Sequence, residues 1–298
     1  MDKITAVVVT YNRLELFKEC VDALRRQTRK LDAIIVIDNS STDGTTEWLN
    51  HQSDLTVILQ DNGGGAAGFY RGMKEAYNLG FDWIWVMDDD VEPIATCLEE
   101  MLNSNLAYEN AFDVLQPNRK FKDKEVDWQY GTKFNFYNPF QPEAVKHIKV
   151  SQFGEERIKK FVSFPFEGPM FSRKVIEKVG FADSRFFIWY DDTEYAARVH
   201  YAGFSAGLVR DAILIKKIIP PTKGIKIDWK MYYQIRNQII LDRKFGNPFL
   251  AISRSLYNNL HRMLVITKQS LESKTFTNYF KDLTGITKAM VDGFKFKY

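Results

Sequence analysis

Three consecutive aspartates, Asp88, Asp89 and Asp90, follow an apolar segment at residues 83–87. Such a segment is typical of a buried strand, and carboxylates crowded at its end repel one another unless a cation or a hydrogen-bond donor compensates them. Oxygen ligands suit Mg²⁺ or Mn²⁺, and ligands of open α/β sheets bind beyond the carboxyl ends of the strands. The triplet therefore predicts a divalent cation that carries a diphosphate. In isolation, a solvated acidic turn or a helix N-cap explains the triplet equally well.

A second acidic group follows an aromatic run later in the chain. Residues 186–190 read Phe-Phe-Ile-Trp-Tyr, and Asp191 and Asp192 then begin a predicted helix. A carboxylate beside Trp and Tyr can act as a general base on a sugar hydroxyl while the rings stack on the sugar. This favours Asp192 as the base, whereas Asp191 is equally well explained as a helix N-cap. We interpret Glu194 as the i,i+4 partner of Arg198.

Alternating strands and helices must position these acids. Apolar, β-branched runs predict strands, and apolar residues at helical spacing predict helices. The predicted strands are residues 4–10, 33–37, 55–59 and 83–87, and the predicted helices are residues 14–27, a short one from 45, and 69–79. This order predicts an α/β fold with a mainly parallel, doubly wound sheet and right-handed crossovers.

Polar residues at the ends of these strands suit a nucleotide. The segment 10–13 can contact a base and ribose, Asp38 can accept a hydrogen bond from either, and Arg71 can approach a phosphate or the sugar ring. The glycine-rich segment 62–68 matches neither the dinucleotide-binding nor the P-loop fingerprint. Its glycines are interpreted as permitting close backbone approach to a sugar or phosphate, with a tight strand-to-helix turn as the alternative.

Composition limits the class of protein. The 298 residues are 45% hydrophobic and 27% charged, which is typical of a globular chain with a sizeable core. The spacing of Cys20 and Cys97 fits neither a zinc site nor a disulfide framework, so we expect buried thiols and a reducing compartment. The chain begins without a basic, apolar leader and contains no uncharged apolar stretch of about 18 residues. We therefore expect a cytoplasmic protein that is neither secreted nor membrane-spanning.

Charge is distributed unevenly along the chain. Residues 1–221 carry 27 basic against 33 acidic side chains, whereas residues 222–298 carry 14 basic against 5 acidic ones. This change in charge divides the chain into a first domain at 1–221 and a helical extension at 222–298. Aromatic and basic residues alternate in this extension, which favours peripheral contact with an anionic membrane or, equally, a helical lid with a solvated basic face. No helix-turn-helix, zinc or RNA-binding signature is present, so we expect no nucleic-acid partner.

Four motifs together carry a family resemblance. They are Val-Val-Val-Thr-Tyr-Asn-Arg (7–13), Ile-Asp-Asn-Ser-Ser-Thr-Asp-Gly-Thr (37–45), Met-Asp-Asp-Asp-Val (87–91) and Trp-Tyr-Asp-Asp-Thr-Glu-Tyr (189–195). Over about residues 4–245 the chain resembles an inverting GT-A glycosyltransferase of family 2. The resemblance implies that residues 1–221 are the catalytic domain, with a nucleotide-binding half (1–100) and an acceptor-binding half (101–221). Within that family, Asn-Gly-Gly-Gly-Ala-Ala-Gly-Phe (62–69) and the acidic motif are similar to bacterial galactofuranosyltransferases, with rhamnosyltransferases as close relatives.

The resemblance implies a role for each matching residue. It implies donor contacts from Thr10, Asn12, Arg13, Asp38, Gly64, Gly65, Gly68, Arg71 and Asp89; Mn²⁺ or Mg²⁺ ligation by Asp88 and Asp90; catalysis by Asp192; acceptor contacts from Glu167, Gly168, Trp189, Tyr190 and Asp191; and phosphate contacts from Arg236 and Lys216. The implied reaction moves a sugar, with galactofuranose from UDP-galactofuranose as the first choice and rhamnose from dTDP-rhamnose as the alternative. The implied acceptor is a glycan or lipid-linked glycan of bacterial surface polysaccharide synthesis.

One departure from the family pattern concerns the metal. Related enzymes often carry a metal-binding histidine downstream of the base, but residues 213–217 contain none, and His200 lies inside the predicted helix. Either fewer protein ligands hold the metal, or a lysine supplies part of its charge to the diphosphate.

Two other classes of protein remain as alternatives. A sugar nucleotidyltransferase could use the same sheet and acids, but we would expect a basic glycine-rich loop near the first strand, which residues 10–13 lack. A non-catalytic sugar-binding module would need the aromatic run but not three acids at a strand end.

Overall fold

A computed structural model describes residues 2–122, 128–218, 229–273 and 279–298. The chain divides into two compact units. The first unit comprises Met1–Lys133, Lys146–Phe187 and Asp191–Pro220, and the second comprises Phe134–Val145, Ile188–Tyr190 and Pro221–Tyr298. The domain boundary that we placed between residues 221 and 222 lies outside the described residues.

The helices and strands are numbered in chain order. The strands are β1 (Ile4–Thr10), β2 (Ala33–Asp38), β3 (Leu55–Leu59), β4 (Trp83–Asp88), β5 (Val91–Pro93), β6 (Val114–Phe121), β7 (Gln129–Phe134), β8 (Ala144–Lys149), β9 (Ile158–Phe161), β10 (Met170–Ser172) and β11 (Ala206–Lys216). The helices are α1 (Leu14–Arg25), α2 (Thr45–Leu49), α3 (Gly64–Asn78), α4 (Cys97–Ala107), α5 (Arg173–Val179), α6 (Asp191–Tyr201), α7 (Trp229–Phe245), α8 (Pro248–Ser273) and α9 (Tyr279–Lys295).

The main sheet has the strand order β3-β2-β1-β4-β10-β6-β11-β5, with β9 paired to β11. Strands β3, β2, β1 and β4 are parallel, and so are β6 and β11, whereas β10 runs antiparallel to both β4 and β6. A second sheet contains β7 and β8. The predicted mainly parallel α/β sheet is confirmed, and its parallel half brings the ends of β1, β2 and β4 to one edge.

The four predicted strands are present with small changes at their ends. Every residue of β1 is buried, as expected of a strand between two parallel neighbours. Strands β2 and β4 each extend one residue further than predicted, so that Asp38 and Asp88 belong to the strands themselves. Both cysteines, Cys20 and Cys97, are buried free thiols as predicted.

Helix α3 begins five residues earlier than predicted, at Gly64 rather than Phe69. Glycine is a poor helix former, so the sequence pattern placed these residues in a turn. Their small size instead permits close packing, because a Cβ added to Gly68 would lie 2.4 Å from Val9 Cγ1 on β1. At Gly64, with φ +79°, an added Cβ would lie 2.1 Å from the carbonyl oxygen of Phe187. Two of the glycines therefore allow protein backbone and side chains to approach α3.

The second unit contains α7, α8 and α9, which share an apolar core. Its buried members are Met231, Ile235, Ile239, Ile266, Ile286 and Ala289. Arg254 is buried as well, forms an ion pair with buried Asp242, and donates Nη2 to the carbonyl oxygens of Asn135 and Asn138, each at 2.9 Å. A buried charge without partners is costly, so Arg254 needs both the ion pair and the two hydrogen bonds. These hydrogen bonds hold the 135–138 turn in the second unit. Among the described helices, none is long and apolar enough to cross a membrane.

We predict that two glycines of α3 respond differently to alanine. A methyl group at position 65 meets nothing closer than 3.8 Å, whereas at position 68 it overlaps Val9. Both changes gain the same helix propensity, so Gly68→Ala should lower the free energy of unfolding by about 1–3 kcal/mol relative to Gly65→Ala. Urea denaturation of the two variants measures the difference, and equal stabilities would contradict this packing.

Candidate active site

The side chain of Asp89 joins the ends of β1 and β4. Its Oδ2 accepts a hydrogen bond from Thr10 Oγ1 at 2.8 Å, and its Oδ1 lies 3.0 Å from Arg13 Nη1. Burial raises the pKa of Asp89, while Arg13 and Thr10 oppose this rise. The structure thus brings together three of the residues predicted to contact the donor.

Asp88 and Asp90 differ in their partners. Asp90 lies 3.5 Å from Arg13 Nη1 and 3.4 Å from Lys216 Nζ. Within the described part of the chain, the Asp88 carboxylate has no hydrogen bond or ion pair. Burial and then the charge of Asp90 raise the pKa of Asp88 well above its usual range. A cation that binds together with a ligand would therefore stabilise the ionised form of Asp88.

Glu167 connects this acidic cluster to further cations. Its two carboxylate oxygens lie 2.5 Å from Lys216 Nζ and 2.5 Å from Arg119 Nη1. Burial opposes its ionisation, but Arg119 and Lys216 lower the pKa of Glu167. Burial likewise opposes the charge of Lys216, and Glu167, Asp88 and Asp90 raise its pKa. Lys216, one of the predicted phosphate contacts, is therefore a charged ammonium held among three acids.

The predicted base, Asp192, lies close enough to the same charges to be affected by them. Its Oδ1 accepts hydrogen bonds from the backbone nitrogen of Thr193 at 2.6 Å and from Thr193 Oγ1 at 3.1 Å. Burial raises the pKa of Asp192 to about 6, with opposition from Thr193 and Arg119 and a further rise from Glu167. Glu167 also raises the pKa of Asp88. The charge of Glu167 therefore reaches both the acid triplet and the predicted base.

Asp191, which precedes the predicted base, is buried at the start of α6. Burial and then the charge of Asp192 raise its pKa. The predicted pairing of Glu194 with Arg198 is confirmed at 2.8 Å, and Arg198 also donates to the carbonyl oxygens of Val179 and Phe181. Arg198 therefore anchors the helix that carries Asp192.

The loops after β1 and β2 are tied together. Asn12 donates its backbone nitrogen to Ser41 Oγ at 2.9 Å, and its Oδ1 accepts from the backbone nitrogen of Thr42 at 2.6 Å. Asp38 is fully buried, and its two oxygens accept from the backbone nitrogen of Ser41 and from Thr46 Oγ1. Asn12 and Asp38 thus shape these loops, and their contacts with a nucleotide stay predictions.

Three other predicted residues belong to the first unit. Arg71 is exposed on α3, and Gly65 has room near its Cα. Gly168, with φ +87°, leaves no space for a side chain, because an added Cβ would lie 2.7 Å from Leu214 Cδ1. The contacts of these residues with the sugar donor and the acceptor stay predictions.

The residues just before Asp191 have an unusual backbone. Phe187, Trp189 and Tyr190 all have φ between 66° and 67°, which side chains of this size rarely adopt. Buried Asn237 on α7 donates Nδ2 to the carbonyl oxygens of Ile188 and Trp189 at 2.9 and 2.8 Å. We interpret Asn237 as the residue that holds the chain leading to the acids of α6.

Arg236 supports Asn237 in this arrangement. Its Nε donates to Asn237 Oδ1 at 2.8 Å, and its guanidinium lies 5.1 Å from the centroid of the Tyr233 ring. The predicted contact of Arg236 with phosphate stays a prediction. In the second unit Trp189 is exposed and Tyr190 is half-buried.

Sequence reasoning missed Arg119 and the role of Asn237. Arg119 ends a run of buried β6 residues, and its guanidinium lies 4.3 Å from the centroid of the Trp128 ring. A basic residue within a predicted strand would have been the signal, because a buried arginine needs a carboxylate partner. The sequence pattern predicts no strand at residues 114–121, so this signal was absent.

The donor set fits a divalent cation held by few protein ligands. Among the residues that the structure describes, no group of three or more His, Cys, Asp or Glu side chains is arranged to hold a metal. Asp88 and Asp90 nevertheless offer two carboxylates, and Mg²⁺ commonly binds through one or two carboxylates together with substrate phosphates.

Comparison with known proteins decides the family. The family model described as glycosyl transferase family 2 matches residues 5–180, which is more than half of the chain. The protein belongs to glycosyltransferase family 2.

Two named relatives are similar to the chain in sequence. The family 2 chain is 30% identical over 206 residues to the galactofuranosyltransferase GlfT1 of Mycolicibacterium smegmatis, an alignment that covers 68% of this chain and 67% of the relative. It is 27% identical over 278 residues to the dTDP-rhamnosyl transferase RfbF of Shigella flexneri, with 89% of each chain covered.

A solved structure confirms the fold. The crystal structure of GalNAc-T7 with UDP, GalNAc and Mn²⁺ is similar with a TM-score of 0.59 at 11% identity, over 82% of this chain and 48% of that one. The family 2 enzyme therefore has the GT-A fold that the sequence predicted.

We predict that the transfer rate depends on pH through Asp192. A general base works only when deprotonated, and a pKa of about 6 places the acidic limb of kcat/KM near pH 6 rather than near the ordinary aspartate value of 3.8. Because the folded-state pKa is raised, protonation of Asp192 stabilises the fold as the pH falls through this window, so unfolding by this group does not explain the loss. Steady-state kinetics with parallel circular dichroism measures both, and an activity unchanged down to pH 5 would contradict the assignment.

Proposed function

We propose that this family 2 protein is an inverting, metal-dependent galactofuranosyltransferase. It transfers galactofuranose from UDP-galactofuranose to a glycan or lipid-linked glycan in bacterial surface polysaccharide synthesis. The choice of sugar is supported by the similarity to the galactofuranosyltransferase GlfT1 across two thirds of both chains. The transfer chemistry is supported chiefly by Glu167, whose charge influences both Asp88 and Asp192.

The reaction uses Asp192 as its base. Asp192 accepts the proton of an acceptor hydroxyl, and the resulting oxygen attacks the anomeric carbon on the side opposite the diphosphate. The bond from that carbon to the diphosphate oxygen breaks, and UDP leaves with the bonding electrons. A single displacement inverts the anomeric centre and requires no second carboxylate as nucleophile, in contrast to retaining glycosidases.

Cations at the acid triplet would meet the charge of the leaving group. Arg13 and Lys216 already lie within ion-pair distance of Asp90. Asp88 and Asp90 would hold Mn²⁺ or Mg²⁺, which when bound offsets the negative charge of a diphosphate. Because no downstream histidine helps to hold the metal, Lys216 supplies part of the positive charge that faces the diphosphate.

The remaining residues keep their predicted roles in this proposal. Thr10, Asn12, Arg13, Asp38 and Asp89 contact the nucleotide; Gly64, Gly65, Gly68 and Arg71 line the sugar and diphosphate; Glu167, Gly168, Trp189, Tyr190 and Asp191 orient the acceptor; and Arg236 contacts phosphate. A rhamnosyltransferase that uses dTDP-rhamnose is the second candidate, supported by the alignment with RfbF over 89% of both chains. Membership of the family disfavours a nucleotidyltransferase.

The second unit is proposed to rest on an anionic membrane surface. Exposed apolar side chains recur along α8 at intervals of three, four or seven residues, and each is at least 48% exposed. They are Phe249, Ile252, Leu256, Leu260, Leu264 and Leu271. The excess of 14 basic over 5 acidic residues in 222–298 complements anionic headgroups, which favours lipid over a second copy of this equally basic unit.

A donor panel tests the proposed reaction. We expect the protein with Mn²⁺ to bind UDP about tenfold more tightly than dTDP, and to release nucleotide fastest from UDP-galactofuranose. Calorimetry and a nucleotide-release assay with UDP-galactofuranose, UDP-N-acetylglucosamine and dTDP-rhamnose measure these preferences. Asp192→Asn, which keeps the shape of the side chain, should abolish transfer and leave UDP binding nearly intact. A preference for dTDP would support the second candidate, whereas equal loss of binding and transfer in Asp192→Asn would rule out its role as base.

Vesicle sedimentation tests the membrane contact. The double variant Leu256→Ser/Leu260→Ser should bind phosphatidylglycerol vesicles several-fold more weakly than the unmodified protein. Each change removes apolar area that the membrane would otherwise bury. Leu79→Ser is the matched control, since Leu79 is an exposed leucine of the first unit. No vesicle binding by the unmodified protein, or self-association that the double variant abolishes, would count against a lipid surface.

A further inference from the structure

A pocket of about 520 Å³ lies entirely within the second unit, apart from the acid triplet and the base. Its walls come from the turn at 139–143, from α7 and α8, and from Tyr190. This volume lies in the range of sites that bind small ligands. Apart from Tyr190, none of its lining residues takes part in the proposed transfer reaction.

A chain of hydrogen bonds forms the polar wall of this pocket. Gln238 donates Nε2 to Glu143 Oε1 at 2.6 Å, and its Oε1 accepts from Asn258 Nδ2 at 3.2 Å. Because both ends of the Gln238 amide are engaged, its orientation is fixed. Gln238 and Glu143 are both buried, and the hydrogen bonds between these planar polar groups make the wall rigid.

Several polar groups along the pocket keep hydrogen-bonding capacity for a ligand. Within the described residues, the Tyr190 hydroxyl and Glu143 Oε2 have no hydrogen-bond partner. Arg262 donates Nη1 to Asn259 Oδ1 at 2.8 Å, which leaves its other donors available. Burial raises the pKa of Tyr190 well above its usual range, so its hydroxyl is a donor. The pocket thus offers donors and an acceptor side by side.

An aromatic pair stands at the rim of the pocket. The rings of Phe140 and Tyr257 lie 5.2 Å apart at 89°, and these side chains are 69% and 53% exposed. Exposed aromatic faces beside planar polar groups suit a sugar, whose ring has an apolar face and a perimeter of hydroxyls.

The charges of the pocket favour a neutral ligand. Glu143 and Arg262 offset each other, and the nearby charge of Arg254 is paired with Asp242. Arg262 would attract a phosphate or diphosphate about as much as Glu143 would repel it, so the pocket offers an anion no net attraction. The preference for a neutral ligand distinguishes the pocket from the acid triplet, where cations are proposed to bind a diphosphate.

We propose that this pocket binds a neutral sugar unit of the acceptor glycan, with Tyr257 as the stacking platform and Tyr190 and Glu143 as hydroxyl partners. The assignment to the acceptor rests on the proposed function, because Tyr190 immediately precedes Asp191 in the chain. The chain would then recognise a glycan of more than one residue.

Saturation-transfer NMR tests the binding without nucleotide or metal. The probes are methyl glycosides of galactose, rhamnose, glucose and N-acetylglucosamine and disaccharides of these sugars. We expect at least one disaccharide to bind with a millimolar Kd, and Tyr257→Ala and Tyr190→Phe each to weaken it by about tenfold. Phe280→Ala, which removes an exposed aromatic of α9 outside the pocket, should leave it unchanged.

Three outcomes would overturn the proposal. They are no binding by any probe, binding that Tyr257→Ala leaves unchanged, and competition by inorganic pyrophosphate, which would mark an anion site. Calorimetry with UDP and Mn²⁺ on the same variants separates this proposal from the proposed function. If UDP fails to bind the unmodified protein, the proposed function fails, whereas loss of sugar binding with UDP binding retained identifies the pocket itself.

Discussion

The ammonium of Lys216, buried among Glu167, Asp88 and Asp90, is the interaction on which the rest of the site depends. Three acids in a buried region of one unit would repel one another, and without a fixed cation their protonation would spread through the cluster. Lys216 and Arg119 keep Glu167 ionised, and Glu167 then raises the pKa of both Asp88 and Asp192. One ion-pair chain therefore influences the charge of both Asp88 and Asp192.

The four parallel strands β1 to β4 of the first unit were predictable from sequence, because they are continuous apolar runs. Residues 4–10 and 55–59 are strands with the predicted bounds. Helix α3 was shortened in the prediction because the low helix propensity of glycine outweighed a packing requirement visible only in three dimensions. The acidic motifs were predictable in position, since their residues follow strands or open a helix, but the donor and acceptor roles inferred from the resemblance stay predictions.

The partners of those acids could not be read from local patterns. Arg119 reaches Glu167 across 48 positions of sequence, and Lys216 reaches Asp90 across 126. Neither spacing has a local periodicity that a sequence would reveal. The second unit likewise combines residues 134–145 and 188–190 with the C-terminal helices, and hydrogen bonds to buried Arg254, Gln238 and Asn237 hold those short segments there.

The backbone ahead of Asp191 has a consequence for how the protein opens. Residues of aromatic size at positive φ cost on the order of 1 kcal/mol or more each, and the two hydrogen bonds from Asn237 offset part of this at Ile188 and Trp189. If α7 opens locally at Asn237, the two hydrogen bonds to Ile188 and Trp189 are lost. Residues 188–190 then relax toward extended conformations while the buried parallel sheet persists. Local opening of α7 would thereby release the segment that leads into Asp191 and Asp192 while the sheet stays folded, so the two regions should lose their structure in separate steps.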